Sequence, residues 1–216
     1  MKKYTIILYA AFFSIILFSA CADTNDEKNN STGNSGKSIV KGDNKMVNDT
    51  YATDETRETA TFAAGCFWGV QHILDEIPGV IETTVGYTGG TLDNPTYRDV
   101  TSSRSGHAEA LQVVFNPQII SFEELIGYFW RLHDPTQLNR QGPDVGTQYR
   151  SAIFYYSEQQ REIAKRSMAA FDESKVFKRK AVSLIVPATE FFPAEDYHQK
   201  YFDKNGGSSC HFLRPR

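Results

Sequence analysis

A thiol followed directly by phenylalanine and tryptophan is a combination that can do chemistry, and the stretch GCFWG at residues 65–69 supplies one. Upstream, Thr59 to Ala63 are β-branched, aromatic or small, as a strand prefers. Downstream, Val70, Ile73, Leu74 and Ile77 fall at the i, i+3, i+4, i+7 spacing of an amphipathic helix. Cys66 is therefore predicted at a strand-to-helix junction. There, unpaired amide N–H groups and the positive end of the helix dipole stabilise a thiolate. Gly65 and Gly69 keep side chains away from the approach and leave room for a ligand, while Phe67 and Trp68 add an apolar wall beside the sulfur. Such a nucleophile suits a small, mostly apolar substrate with one electrophilic atom. The same junction could instead bury an inert cysteine, and these five residues alone leave both readings open.

The elements that must position this thiol alternate between strand-like and helix-like. Ile81 to Tyr87 reads as a strand, followed by a glycine-rich loop, GYTGGTLDNPTYRD. In GHAEALQVVFNP, Glu109, Leu111, Val113 and Phe115 alternate onto one strand face. Ser121 with Glu124 forms a capping box for a helix whose apolar stripe is Phe122, Leu125, Ile126 and Phe129. HDPTQLNRQGPDVGT is a long polar loop and QYRSAIFYY a strand. Ser157 and Gln160 then open a helix carrying Ile163, Ala164 and Phe171. AVSLIVP reads as a last buried strand and AEDYHQKYF as a short terminal helix. Because the runs at 81–87 and 107–115 follow one another without a helix between them, a doubly wound sheet does not fit. The pattern implies an α+β (mixed α/β) fold, a two-layer ferredoxin-like plait with a mixed or antiparallel sheet and an irregular C-terminal tail. Within it Glu109 could be a rim carboxylate, Tyr97 the cover of a turn, Asp144 a loop residue and Tyr149 a core aromatic.

The 216 residues are 40% hydrophobic, with 23 basic and 26 acidic side chains and a net charge of −3. The basic residues are scattered, which excludes the positive stripe of a nucleic-acid binder. Residues 1–21, MKKYTIILYAAFFSIILFSAC, have the basic start and short apolar run of a signal peptide. Ser19, Ala20 and Cys21 resemble a bacterial lipobox, with Phe18 where the pattern prefers leucine. They imply lipidation of Cys21 and an exported, membrane-anchored protein of the bacterial cell envelope, with ordinary cleavage after Ala20 as the competitor. Residues 22–58 are polar and apolar-poor and read as a disordered tether, leaving 59–216 as the folded domain. Five histidines and three cysteines could ligate a metal, but no CxxC or closely spaced histidine pair appears, and no metal is expected.

GCFWG resembles the signature of the peptide methionine sulfoxide reductases of the A type. GYTGG, NPTYRDV, GHAEA, HDPTQ, RQGPDVGTQYRS and PAEDYHQKY are similar to the family's other blocks, in family order, from about residue 59 to the C-terminus. The resemblance implies a two-layer α/β plait and reduction of the S epimer of methionine sulfoxide, in oxidised proteins and as the free amino acid. It makes Cys66 the nucleophile that attacks the sulfoxide sulfur, and Phe67 and Trp68 the pocket for the S-methyl group. Glu109 becomes the acid for the sulfoxide oxygen, Tyr97 and Tyr149 its hydrogen-bond donors, and Asp144 a carboxylate that helps to organise the site. These roles are chemically coherent, because attack pushes negative charge onto the oxygen and calls for donors in a dry setting. By the same resemblance Cys210, in the tail KNGGSSCHFLRPR, resolves the resulting sulfenic acid as a disulfide. Gly206, Gly207, Ser208 and Ser209 make the preceding segment flexible. No cofactor is implied, only an external thiol reductant, a thioredoxin-like partner. A thiol peroxidase would share the sulfenate but have little use for a methyl pocket, and a lipoprotein that only binds a ligand at Trp68 would leave Cys66 inert.

Overall fold

The computed structural model describes residues 56–207, 209 and 211–215; the signal segment with Cys21, most of the tether and Cys210 lie outside them. Strand β1 (Glu58–Ala64) leads through Gly65 and Cys66 into helix α1 (Phe67–Leu74). Strand β2 (Val80–Thr88) follows, then a short helix α2 (Tyr97–Thr101), strand β3 (Ala108–Phe115) and helix α3 (Phe122–Leu132). The chain continues through a small hairpin, β4 (Arg140–Gln141) with β5 (Asp144–Val145), to β6 (Ser151–Tyr155), α4 (Glu158–Ser174), β7 (Leu184–Pro187), β8 (Phe192–Pro193) and α5 (Tyr201–Asn205).

The main sheet has the order β7-β6-β1-β3-β2-β8, antiparallel at every neighbour except the parallel pair β6 and β7. It is a mixed sheet in a mixed α/β fold. Its inner four strands follow a β-α-β-β-α-β order, in which α1 and α3 each join strands that lie two apart. Period-two patterning divides the two faces. Ala60, Phe62 and Ala64 of β1, Leu111, Val113 and Phe115 of β3 and Ile153 of β6 pack in one core with α1 and α3. Ala63, Ala108, Ala110, Ala152 and Phe154 look the other way and are covered by Val186, Ala188 and Phe191. No helix among the described residues is long and apolar enough to cross a membrane.

Several sequence expectations are corrected here. AVSLIVP does not form a buried strand: β7 is an edge strand, and Leu184 keeps 46% of its surface exposed. AEDYHQKYF is mostly turn, because Lys200 adopts a left-handed conformation (φ 53°) and the helix begins only at Tyr201. The glycine-rich loop contains α2, started by a capping box of Thr96 and Asp99. Tyr149 belongs to a 3-10 turn, Thr147–Tyr149, rather than to the strand behind it.

Candidate active site

Cys66 is the N-cap residue of α1, and its side chain makes no capping hydrogen bond. The first helical amide is instead taken by a distant carboxylate: Phe67 N–H donates to Glu109 Oε2 at 3.2 Å, across 42 residues of chain. Glu109 points to the helix face of β3 because it shares the parity of Leu111, Val113 and Phe115, and it is 1% exposed. A carboxylate so buried needs donors, and the start of a helix is a ready source of them. Directly across the sheet, Tyr87 of β2 pairs in register with Glu109.

Tyr97 and Tyr149 are hydrogen-bonded to each other, and both feel the Glu109 carboxyl and the Cys66 thiol. Burial, then the charge of Glu109, then that of Cys66, push the Tyr97 phenol up, while a hydrogen bond with Tyr149 acts the other way. Tyr149 is raised by burial first, then by Glu109, Tyr97, Asp144 and Cys66. Two phenols that feel the same carboxylate and the same thiol share one site, and both remain protonated donors well above neutral pH. Asp144, at the start of β5, joins the group through its effect on Tyr149. It also lines a cavity of about 270 Å³ whose walls include His133, Gln141, His211 and Arg214. The backbone of Tyr97 is fixed by Glu195, whose carboxylate accepts from Tyr97 N–H at 2.9 Å and from Tyr87 Oη–H at 2.8 Å.

The aromatic wall is larger than sequence reasoning made it. Phe67 is 1% exposed and faces Tyr87 and the imidazole of His198, at ring separations of 6.0 and 5.1 Å. The Trp68 indole stacks on Tyr201 at 3.8 Å and 7°, and its Nε1–H donates to His198 Nδ1 at 3.0 Å. With Nδ1 accepting, the neutral ring carries its proton on Nε2, which has no hydrogen-bond partner among the described residues and lies 3.9 Å from Glu195 Oε2. Burial holds His198 below the ordinary histidine range, against the opposing pull of Glu195. Neither His198 nor Tyr201 stands out in the sequence as a site residue; both lie in PAEDYHQKY, a block similar to the family's, and that similarity is the signal that points to them.

The glycines of GCFWG have a different use from the one expected. A side chain on Gly65, whose φ is +93°, would meet Gln141 Cβ and Cγ at 2.7 Å; one on Gly69 would meet Ser209 Oγ and His211 Nδ1 at 2.6 Å. The space they leave holds the hairpin and the C-terminal tail. Cys66, Phe67, Trp68, Tyr97, Glu109, Asp144 and Tyr149 are thus gathered at one end of the sheet, whereas Cys210 and Cys21 lie outside the described residues. Among the described residues no group of three or more histidines, cysteines or carboxylates is placed to hold a metal ion.

Residues 58–215 match the family model described as peptide methionine sulfoxide reductase. The peptide methionine sulfoxide reductase MsrA of Methanothermobacter thermautotrophicus is 50% identical over 157 residues, which span 73% of this chain and 93% of that one. Among solved structures, reduced Mxr1 of Saccharomyces cerevisiae superposes with a TM-score of 0.71 at 35% identity, covering 75% of this chain and 94% of its own. Mxr1 in complex with Trx2 gives 0.53 at 26% identity, covering 75% and 93%. The chain belongs to the peptide methionine sulfoxide reductase family and is an enzyme of its A type, a peptide-methionine (S)-S-oxide reductase.

Proposed function

We propose that Cys66 is the nucleophile of this reduction and that Glu109, Tyr97 and Tyr149 receive the oxygen. The observation that carries the assignment is the bond from Phe67 N–H to Glu109, which brings a buried carboxylate to the helix start that bears the thiol. The substrate's S-methyl group lies against Phe67 and Trp68, whose rings are held by His198 and Tyr201. The Cys66 sulfur attacks the sulfoxide sulfur, and charge moves onto the oxygen. The Tyr97 and Tyr149 hydroxyls donate to that oxygen and Glu109 protonates it. Asp144 helps to orient Tyr149. The oxygen then passes to Cys66: thiol and sulfoxide become sulfenic acid and thioether, and methionine leaves.

Cys210 closes the cycle. Its thiol condenses with the Cys66 sulfenic acid; an S–S bond forms, the S–O bond breaks, and the oxygen leaves as water. A thioredoxin-like dithiol then reduces the disulfide and is itself oxidised. The complex of Mxr1 with Trx2 supports that choice of reductant. The basic, apolar N-terminus supports export, with Cys21 lipidated, residues 22–58 as a tether and the enzyme facing oxidised proteins and free methionine sulfoxide of the bacterial cell envelope. The test is turnover of separated S and R epimers of a methionine sulfoxide substrate with dithiothreitol. Reduction of S alone is expected. Silence on both epimers by folded protein with Cys66 reduced would remove the assignment.

A further inference from the structure

A lysine in the left-handed region is crowded by its own Cβ, and Lys200 takes φ 53° and ψ 46° one residue before Tyr201. Three bonds hold it there. Its backbone N–H donates to Gln71 Oε1 at 2.7 Å, and its Nζ donates to Asp75 Oδ1 at 2.5 Å and to Thr83 Oγ1 at 3.0 Å. The partners are tied to one another. Gln71 is 1% exposed, and its Nε2–H donates to Thr83 O at 3.3 Å and Oγ1 at 3.2 Å, while Thr83 Oγ1–H donates to Asp75 Oδ1 at 2.5 Å. Asp75 is the C-cap of α1, where the helix dipole disfavours a carboxylate, and the Lys200 ammonium supplies the cation that this end calls for. One residue earlier, Gln199 brackets the backbone of Val85 in β2: Oε1 accepts from Val85 N–H at 3.0 Å and Nε2–H donates to Val85 O at 2.9 Å.

Trp68, Gln71 and Asp75 stand at i, i+3 and i+7 along α1 and so share one face of it. The Trp68 indole stacks on Tyr201 at 3.8 Å, while Gln71 and Asp75 grip the residue just before that ring. An ion pair whose lysine is 38% exposed would hold little alone, but the bond to the buried Gln71 amide and the convergence on Thr83 fix the Lys200 backbone. We propose that Lys200 is a positioning residue which, through Gln71 and Asp75, sets how closely Tyr201 approaches Trp68, and thereby the size of S-alkyl group the pocket accepts. The inference rests on the reading of Phe67 and Trp68 as the S-methyl pocket. Lys200 touches no substrate and acts through the Tyr201 ring. A pocket fitted to a methyl group rejects one further methylene by about 10–200-fold, and a stack free to slide gives up part of that preference.

The experiment measures kcat/KM of the full chain, with dithiothreitol as reductant, for the S epimers of methionine sulfoxide and of its S-ethyl homologue, ethionine sulfoxide. The unsubstituted chain should prefer methyl by about tenfold or more, and Lys200→Met should narrow that preference about fivefold. If Lys200→Met does not fold, Lys200→Gly, for which the left-handed backbone is unstrained, is read in its place. Two further variants separate the explanations. In a Tyr201→Ala background the lysine substitution should change the preference by less than about twofold, because the ring through which it acts is gone. If Trp68→Ala narrows the preference and Lys200→Met does not, the role of Lys200 is overturned and the S-methyl pocket stands. If Trp68→Ala leaves the preference unchanged, or the unsubstituted chain has none, the pocket reading fails and this inference with it. An equal narrowing with and without the Tyr201 ring would also overturn the proposal, since it would mark a general structural role.

Discussion

Helices α1 and α3 begin in opposite ways. At α3, Ser121 accepts from Glu124 N–H while the Glu124 carboxylate accepts from Ser121 N–H, so the first turn is satisfied from within four residues. At α1 the N-cap position holds Cys66, whose side chain gives no cap, and the Phe67 amide is satisfied by Glu109 from another strand. One start is built for stability. The other gives up a local cap worth about 1 kcal/mol and keeps its amides and its thiol facing the site. The polar group that replaces the cap is the one assigned to the chemistry, so α1 can be anchored only where β3 delivers a carboxylate.

That contrast can be tested from either end. The largest effect is expected from Cys66→Ser, which removes the proposed nucleophile and supplies a capping hydroxyl. Reductase activity should disappear while denaturant unfolding shows equal or greater stability, by up to about 1 kcal/mol. A folded, active Cys66→Ser would break the comparison at once. Next comes Glu109→Gln, which keeps the shape and an acceptor for Phe67 N–H but loses the transferable proton. The rate of methionine release in a single turnover should fall about 10²–10⁴-fold with only a small change in stability.

The far end of α3 gives a pH test. His133 follows the last turn, with Nδ1 3.0 Å from Phe129 O and Nε2 2.7 Å from Ser151 Oγ. Burial pushes its pKa down to about 3. With the folded value depressed, the unfolded chain binds the extra proton first, so stability is full above about pH 6.5 and is lost as the pH falls toward 3. The slope approaches about 1.4 kcal/mol per pH unit for this one group. His133→Gln should flatten the slope in urea titrations between pH 6 and 4, and an unchanged slope would remove His133 as its source. The smallest effect belongs to Ser121→Ala, about 1 kcal/mol of stability with activity intact.

How much of this was legible in the sequence depended on the range of each interaction. The Ser121 box and the parity of Glu109 with Leu111, Val113 and Phe115 are local patterns, and both reappear as read. Helix α2 was hidden because five residues are too few for an apolar stripe, and the surrounding glycines and proline read as loop. The late start of α5 turns on one left-handed residue, Lys200, which no pattern of hydropathy encodes. Trp68 finds His198 across 130 residues, and Ala64 finds His211 across 147. Such pairs come from packing, and only similarity to known blocks could hint at them. The glycines around Cys66 were seen, but the chain that fills the space beside them was not.

The central claim is that the substrate's oxygen passes to the sulfur at the start of α1. It is met most directly by a single turnover of Cys210→Ser with an S sulfoxide carrying 18O, followed by mass analysis of the peptide containing Cys66. The account predicts one 18O atom on Cys66 for each methionine released. Methionine released with the label found elsewhere, and Cys66 unmodified, would contradict it.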